Sequence, residues 1–240
     1  MKVYIGTSGW FYFHWIGKFY PNKMTSGEYL KFYSSHFNTV EINSTFYRIP
    51  KQKTIKNWIR NVGSDFVFSI KVNREVTHSG KFSREKLLNF ISNFESIDDR
   101  IEFYLLQFPP SFKYSKEKLL EISNIRDIDK ISIEFRDNSW LKSEVLEEIG
   151  NEVNIVYSDY DKLNRVLRPS NGKLYVRLHG ANGRYKGEYG EKIIDYIREF
   201  FSYRDGFEKL FIYFNNDYGG AAPSDAKIAI QAIRDYQGIS

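Results

Sequence analysis

Three acidic residues, Glu41, Glu134 and Asp159, each follow a short apolar run, and each is a candidate for acid, base or metal chemistry. His78 and His179 are set at similar endings, whereas His14 and His36 read as peripheral. Lys71, Arg136 and Arg177 bring positive charge to the same kind of position, and Asn43, Gln107, Asn215 and Asn216 bring neutral hydrogen-bonding groups. A guanidinium offers a rigid fork of donors to phosphate or carboxylate, so Arg136 and Arg177 point to an anionic ligand, with Lys71, Arg48 and Arg74 adding charge. Glu134 or Glu41 would then transfer a proton, Asp159 would orient or supply a second carboxylate, and His179 would shuttle protons near neutrality. Arg177 and Lys71 would stabilise developing negative charge. These roles suit hydrolysis of a phosphorylated or glycosidic compound and, equally, isomerisation of a sugar phosphate.

Carboxylates with one or two histidines are also a ligand set for a divalent metal, although Lys71, Arg136 and Arg177 would repel the ion. No H-E-x-x-H motif and no cysteine is present, and no nucleotide-cofactor motif appears. Gly180-Ala181-Asn182-Gly183-Arg184-Tyr185 resembles a phosphate-embracing loop but lacks the G-x-x-x-x-G-K-[ST] pattern. It reads equally as a turn in which glycine supplies backbone freedom. Trp10, Tyr12, Phe46, Tyr47 and Trp140 are candidates to cover a sugar or base, or simply to fill the core.

The apolar runs that must position these groups number eight, at 3–6, 39–43, 66–71, 102–108, 130–135, 154–158, 173–179 and 210–215. Their β-branched and aromatic content fits strands. Helical patterns at 26–36, 54–61, 83–94, 115–122, 139–149, 188–203 and 224–236 alternate with them. Such alternation predicts parallel strands joined by right-handed crossovers, and eight of them can close into a (β/α)8 TIM-barrel-like fold. An open doubly wound sheet is the alternative. The stretch after Asp159 has little helical pattern, so that crossover is expected to be irregular. Residues two apart on a strand share a face, which pairs Glu41 with Asn43, Ser69 with Lys71, Glu134 with Arg136, Arg177 with His179 and Tyr213 with Asn215. At the carboxy-terminal rim of a barrel these groups either form a binding cup or end the core in closed salt bridges.

The 240 residues suit a single α/β barrel domain, here 1–240, and 20 Phe and 18 Tyr supply much of the apolar volume. A formal net charge of +5 is compatible with anionic ligands but too small to imply nucleic acid by itself. Nucleic acid, bound through scattered lysines and exposed rings, is an alternative partner, and a non-catalytic sensor is a third reading. No charged N-region followed by an apolar stretch and no membrane-spanning run is present, so a cytoplasmic location with no membrane partner is expected.

Ile5-Gly6-Thr7-Ser8-Gly9-Trp10, with Tyr12, Trp15, Gly17 and Phe19-Tyr20-Pro21, resembles the DUF72 family, also called YecE-like proteins. The resemblance continues through 39–48, Thr77-His78, 107–112, Ile133-Glu134-Phe135-Arg136 with Trp140, 175–180, Tyr185, Tyr189, 213–216 and Ala222-Pro223. It spans almost the whole chain and implies a TIM-barrel-like fold, with no particular reaction attached.

Overall fold

A computed structural model describes residues 1–80 and 82–238. The strands are β1 (Lys2–Thr7), β2 (Thr39–Ile42), β3 (Val67–Lys71), β4 (Ile101–Gln107), β5 (Ile131–Glu134), β6 (Asn154–Ile155), β7 (Tyr157–Ser158), β8 (Lys173–Leu178) and β9 (Lys209–Phe214). Between them lie α1 (Tyr29–Ser34), α2 (Gln52–Arg60), α3 (Arg74–Thr77), α4 (Arg84–Ser92), α5 (Lys116–Ser123), α6 (Ser143–Ile149), α7 (Lys192–Ser202) and α8 (Ala221–Gln237). The ladders are parallel throughout and give two sheets, ordered β1-β9-β8-β7 and β2-β3-β4-β5-β6.

The two sheets meet at two seams, which makes the architecture barrel-like. At one seam a single expected strand, 154–158, is shared. Its first half pairs with β5 and its second with β8, and the intervening Val156 N–H donates to Ile133 O at 2.9 Å. At the other, Ser8 bridges to Glu41 and Gly9 N–H donates to Glu41 O at 2.8 Å. Asn38 clamps the same seam, accepting from Ile5 N–H and donating to Val3 O, each at 2.9 Å. No helix fills the connection between β7 and β8, so the irregular crossover lies where the sequence places it. Pro109 and Pro110, which cannot supply ladder donors, follow the end of β4.

Gly6 explains how closely β1 and β2 approach. A Cβ there would lie 2.1 Å from Thr39 O, a backbone atom that cannot swing aside. Gly6→Ala is therefore expected to spread the seam and lower unfolding free energy by about 2–3 kcal/mol, measured by denaturant titration. A loss below about 0.5 kcal/mol would mean that the seam is not a close-packed closure.

Strand parity separates two cores. Outward residues such as Val40, Ile42, Ile70, Leu106, Ile133, Val176 and Ile212 pack beneath the helices. Inward residues Tyr4, Phe103, Leu105, Val156, Tyr175, Phe211 and Tyr213 form a smaller cluster inside the barrel. Tyr4 stacks on Phe211 at 4.5 Å, and the Tyr213 hydroxyl meets Thr39 Oγ1 at 2.7 Å and Ser69 Oγ at 2.8 Å. Large rings thus fill the lumen while their polar tips stay bonded. Below this plug Glu102 accepts from Lys173 at 2.8 Å and Lys209 at 2.9 Å. Above it the inward positions turn polar.

Candidate functional site

The polar positions above the aromatic plug form a closed floor. Arg177 on β8 spans the lumen, donating from Nε to Glu41 Oε2 and from Nη2 to Glu41 Oε1, each at 2.8 Å, and from Nη1 to Glu134 Oε2. Glu41 also accepts from Tyr175 Oη at 2.5 Å and Ser8 Oγ at 2.7 Å. Glu134 accepts from Ser158 Oγ at 2.8 Å and Arg136 Nη2 at 3.2 Å. Burial pushes both carboxyls up, but the guanidiniums and hydroxyl donors outweigh it and hold both below the ordinary carboxylate range. Neither glutamate, then, carries a proton to give at neutral pH.

The floor continues to the loop after β8. Asp159 accepts from His179 N–H at 2.6 Å, from Tyr196 Oη at 3.3 Å and from Tyr189 Oη. His179 Nε2 lies 3.1 Å from Arg136 Nη2, a donor, and its Nδ1 lies 3.3 Å from Asp159 Oδ1. Those neighbours assign a neutral ring with the proton on Nδ1. Burial, followed by the Arg136 charge, lowers His179 to about 4. In that state Nε2 accepts from Arg136, with Glu134 Oε1 also 3.5 Å away, whereas the sequence points to a proton shuttle near neutrality.

The glycine-rich segment is also internally satisfied. Gly180 N–H donates to Tyr189 Oη at 2.5 Å, Gly183 N–H to Gly180 O at 2.8 Å, Tyr185 N–H to His179 O at 2.6 Å, and Lys186 N–H to Gly183 O at 3.1 Å. Gly180 has φ +106°, and a Cβ there would lie 2.1 Å from Lys186 O. These bonds fit the turn reading, and the four amides named are already committed to partners within the protein.

Half-buried polar residues stand at four strand ends: Asn43 after β2, Lys71 ending β3, Gln107 ending β4 and Asn215 after β9. Lys71 Nζ donates to Gln107 Oε1 at 2.8 Å and lies 4.3 Å from the Phe46 ring centroid. Among the described residues no carboxylate pairs with it. Burial, then the Arg177 charge, lowers its ammonium to about 7, against the pull of Glu41 and Glu134. His78 meets the other side of Phe46 at 5.1 Å between centroids, and burial followed by the Lys71 charge lowers it too. Arg136 stacks 3.7 Å over Tyr160, and its buried Nε lacks a hydrogen-bond partner.

The remaining sequence candidates scatter. Trp10 and Asn43 line an aromatic cleft of about 540 Å³ with Tyr12, Tyr47 and Trp58, and Asn43 Oδ1 is buried and unpartnered. Arg48 is exposed, with no side-chain partner among the described residues. Trp140 does not cover a ligand. It has no exposed surface, stacks on Phe135 at 4.5 Å and Phe112 at 5.4 Å, and donates from Nε1 to Phe112 O at 2.6 Å. Asn216 is likewise buried, tying Gly187 O at 3.0 Å to Asp225 Oδ2 at 2.6 Å beneath the rim. Among the described residues no group of three or more Asp, Glu or His side chains is placed to hold a metal ion. Sequence reading missed Ser8, Ser158, Tyr160, Tyr175 and Tyr189. Parity puts Tyr175 on the face of Arg177, and Ser8, Tyr175 and Tyr189 lie in the motifs that carry the family resemblance, although no site role was drawn from them.

Comparison with known proteins places this geometry. The family model described as "Protein of unknown function DUF72" matches residues 4–239. UPF0759 protein YunF of Bacillus subtilis is 25% identical, over 99% of this chain and 97% of its own. UPF0759 protein YecE of Escherichia coli is 30% identical over 46% of this chain and 39% of its own. The crystal structure of a DUF72 family protein from Thermotoga maritima superposes with a TM-score of 0.85 and 28% identity, covering 98% of this chain and all (100%) of that one. One from Enterococcus faecalis gives 0.82 at 22% identity, covering 97% and 95%, a likeness of fold alone. With a family model spanning nearly its whole length, the chain belongs to the DUF72 family.

Proposed function

We propose that these strand ends form a mouth that binds a small anionic or phosphorylated metabolite between Lys71 and Arg136, on a floor that ion pairs hold rigid. The observation that carries this reading is charge matching. Arg177 is enclosed by Glu41 and Glu134, while Lys71 touches an amide oxygen and a ring and pairs with no carboxylate among the described residues. An anion at the mouth would supply the missing counter-charge, and the buried, unpartnered Nε of Arg136 would supply a donor. Glycosidic hydrolysis needs a protonated carboxyl, and both glutamates are held ionised. Proton transfer of the isomerase kind fits better, with Lys71 as the group that changes charge near neutrality.

Calorimetric titration with inorganic phosphate, phosphorylated sugars and small carboxylates tests the reading across pH. A bound anion raises the Lys71 pKa, so binding is strongest below about 7, where the amine is already charged. Above that pH binding must take up a proton, and affinity is expected to fall by up to about tenfold per unit. No binding by any member of the panel, or affinity that is flat between pH 6 and 9, would contradict the reading.

Lys71→Met is expected to abolish this binding while raising stability at pH 7 by about 1–3 kcal/mol. The sign follows from linkage. A lysine depressed on folding costs stability as pH falls from its unfolded value near 10.4 toward about 7. The gap between variant and parent in urea unfolding should therefore close above pH 10. A variant less stable than the parent at pH 7 would show that the ammonium is stabilised where it sits.

A further inference from the structure

We infer that Lys71 is a carbonyl-reactive amine that forms an imine with a small aldehyde or ketone bearing a carboxylate or phosphate. The inference rests on the anion-binding reading of the mouth and adds the substrate class and the covalent step. Three structural observations meet at this side chain. Lys71 ends β3 inside the barrel yet is only half-buried, so part of its side chain remains exposed at the strand ends. Its Nζ touches Gln107 Oε1 at 2.8 Å and the Phe46 ring at 4.3 Å, and no carboxylate among the described residues pins it as an ammonium. Arg136, with an unpartnered buried Nε, lies beneath the same opening and offers a seat for the ligand's anionic group.

The charged groups facing Lys71 come from every side. Arg177 on β8 and Arg136 after β5 disfavour its proton, Glu41 on β2 and Glu134 on β5 favour it, and His78 after α3 stands beyond Phe46. Burial adds to the cationic side and leaves a large share of the amine neutral at pH 7. That share is the nucleophile.

The step balances without a further reagent. The Nζ lone pair attacks the carbonyl carbon, a C–N bond forms, and the carbonyl oxygen takes up a proton to give a carbinolamine. The hydroxyl then leaves as water, carrying away both hydrogens of the neutral amine in net terms, and a C=N bond remains. The imine so formed would make the neighbouring C–H acidic, which is the chemistry an isomerase or a lyase needs.

Reductive trapping tests this directly. The full chain is incubated at pH 7 with glyoxylate, pyruvate or glyceraldehyde 3-phosphate, reduced with borohydride, and mapped by peptide mass spectrometry. At pH 7 a lysine titrating near 7 has roughly 1000 times the neutral fraction of an exposed one, so trapping at Lys71 should exceed the surface lysines by at least about tenfold. Lactate and glycerol 3-phosphate, which lack the carbonyl, run in parallel as calorimetric ligands. Selective adduct at Lys71 supports the inference. Binding of the non-carbonyl anions with Lys71 trapped no faster than surface lysines overturns the imine step and leaves the anion reading standing. Neither binding nor selective trapping overturns both.

Discussion

Arg177→Met is expected to be among the most destabilising single substitutions in the chain, lowering unfolding free energy by about 3–5 kcal/mol. The guanidinium is fully buried and joins two buried carboxylates through three hydrogen bonds. Its loss leaves Glu41 with only Tyr175 and Ser8, and Glu134 with Arg136 and Ser158, inside an aromatic-walled lumen. The cost comes from stranding charge out of water, not from the worth of the pair itself. Adding Glu41→Gln to the variant should therefore recover part of the loss. Arg184→Ala, which breaks the exposed pair with Asp161, should leave stability essentially unchanged. Urea unfolding of all three decides the point, and a loss below about 1 kcal/mol for Arg177→Met would mean that the floor is wetter and looser than described.

The second large effect is on pH. His179 is neutral in the fold and is lowered from 6.5 to about 4, so the unfolded chain takes up a proton at this residue more readily than the folded one. Stability from this source is complete above pH 6.5 and declines as pH falls toward 4, by about 3 kcal/mol in all. The lowered carboxyls of Glu41, Glu134 and Asp159 act in the same direction at lower pH, since their stabilisation is present above the unfolded carboxyl range and lost as pH falls below it. Denaturant midpoints measured from pH 7.5 to 4 should slope steadily downward. His179→Asn should flatten the upper part of that slope, and an unchanged slope would place the responsible proton elsewhere.

Much of the barrel was legible because strand parity and helix alternation are local patterns. The expected run 39–43 contains β2, 173–179 contains β8, and 154–158 spans the two halves that couple the sheets. Helix starts were less legible. The pattern at 26–36 begins as a 3-10 turn (Ser26–Glu28) before α1, and the one at 188–203 starts only at Lys192. The four-residue α3 is too short to show periodicity. For the site, parity gathered Glu41, Glu134, Arg136, Arg177 and His179 correctly but could not say who bonds to whom. Arg177 looked like an anion receptor because its two carboxylates are far away in sequence, and only the closed lumen brings them onto it. Trp140 and Asn216 misled for a related reason. Residues just past a strand end can turn back under the rim, and nothing local records that turn.

The account turns on a floor whose charges are matched and a mouth whose lysine is not. Competitive acetylation of every lysine by trace acetic anhydride, read by mass spectrometry from pH 5.5 to 10.5, measures that contrast. Lys71 should reach half of its full reactivity near pH 7, far below the ordinary value of a lysine side chain near 10.4. Should Lys71 titrate alongside the exposed lysines, its ammonium has the counter-charge that we say is missing, and the mouth loses its reason to bind an anion.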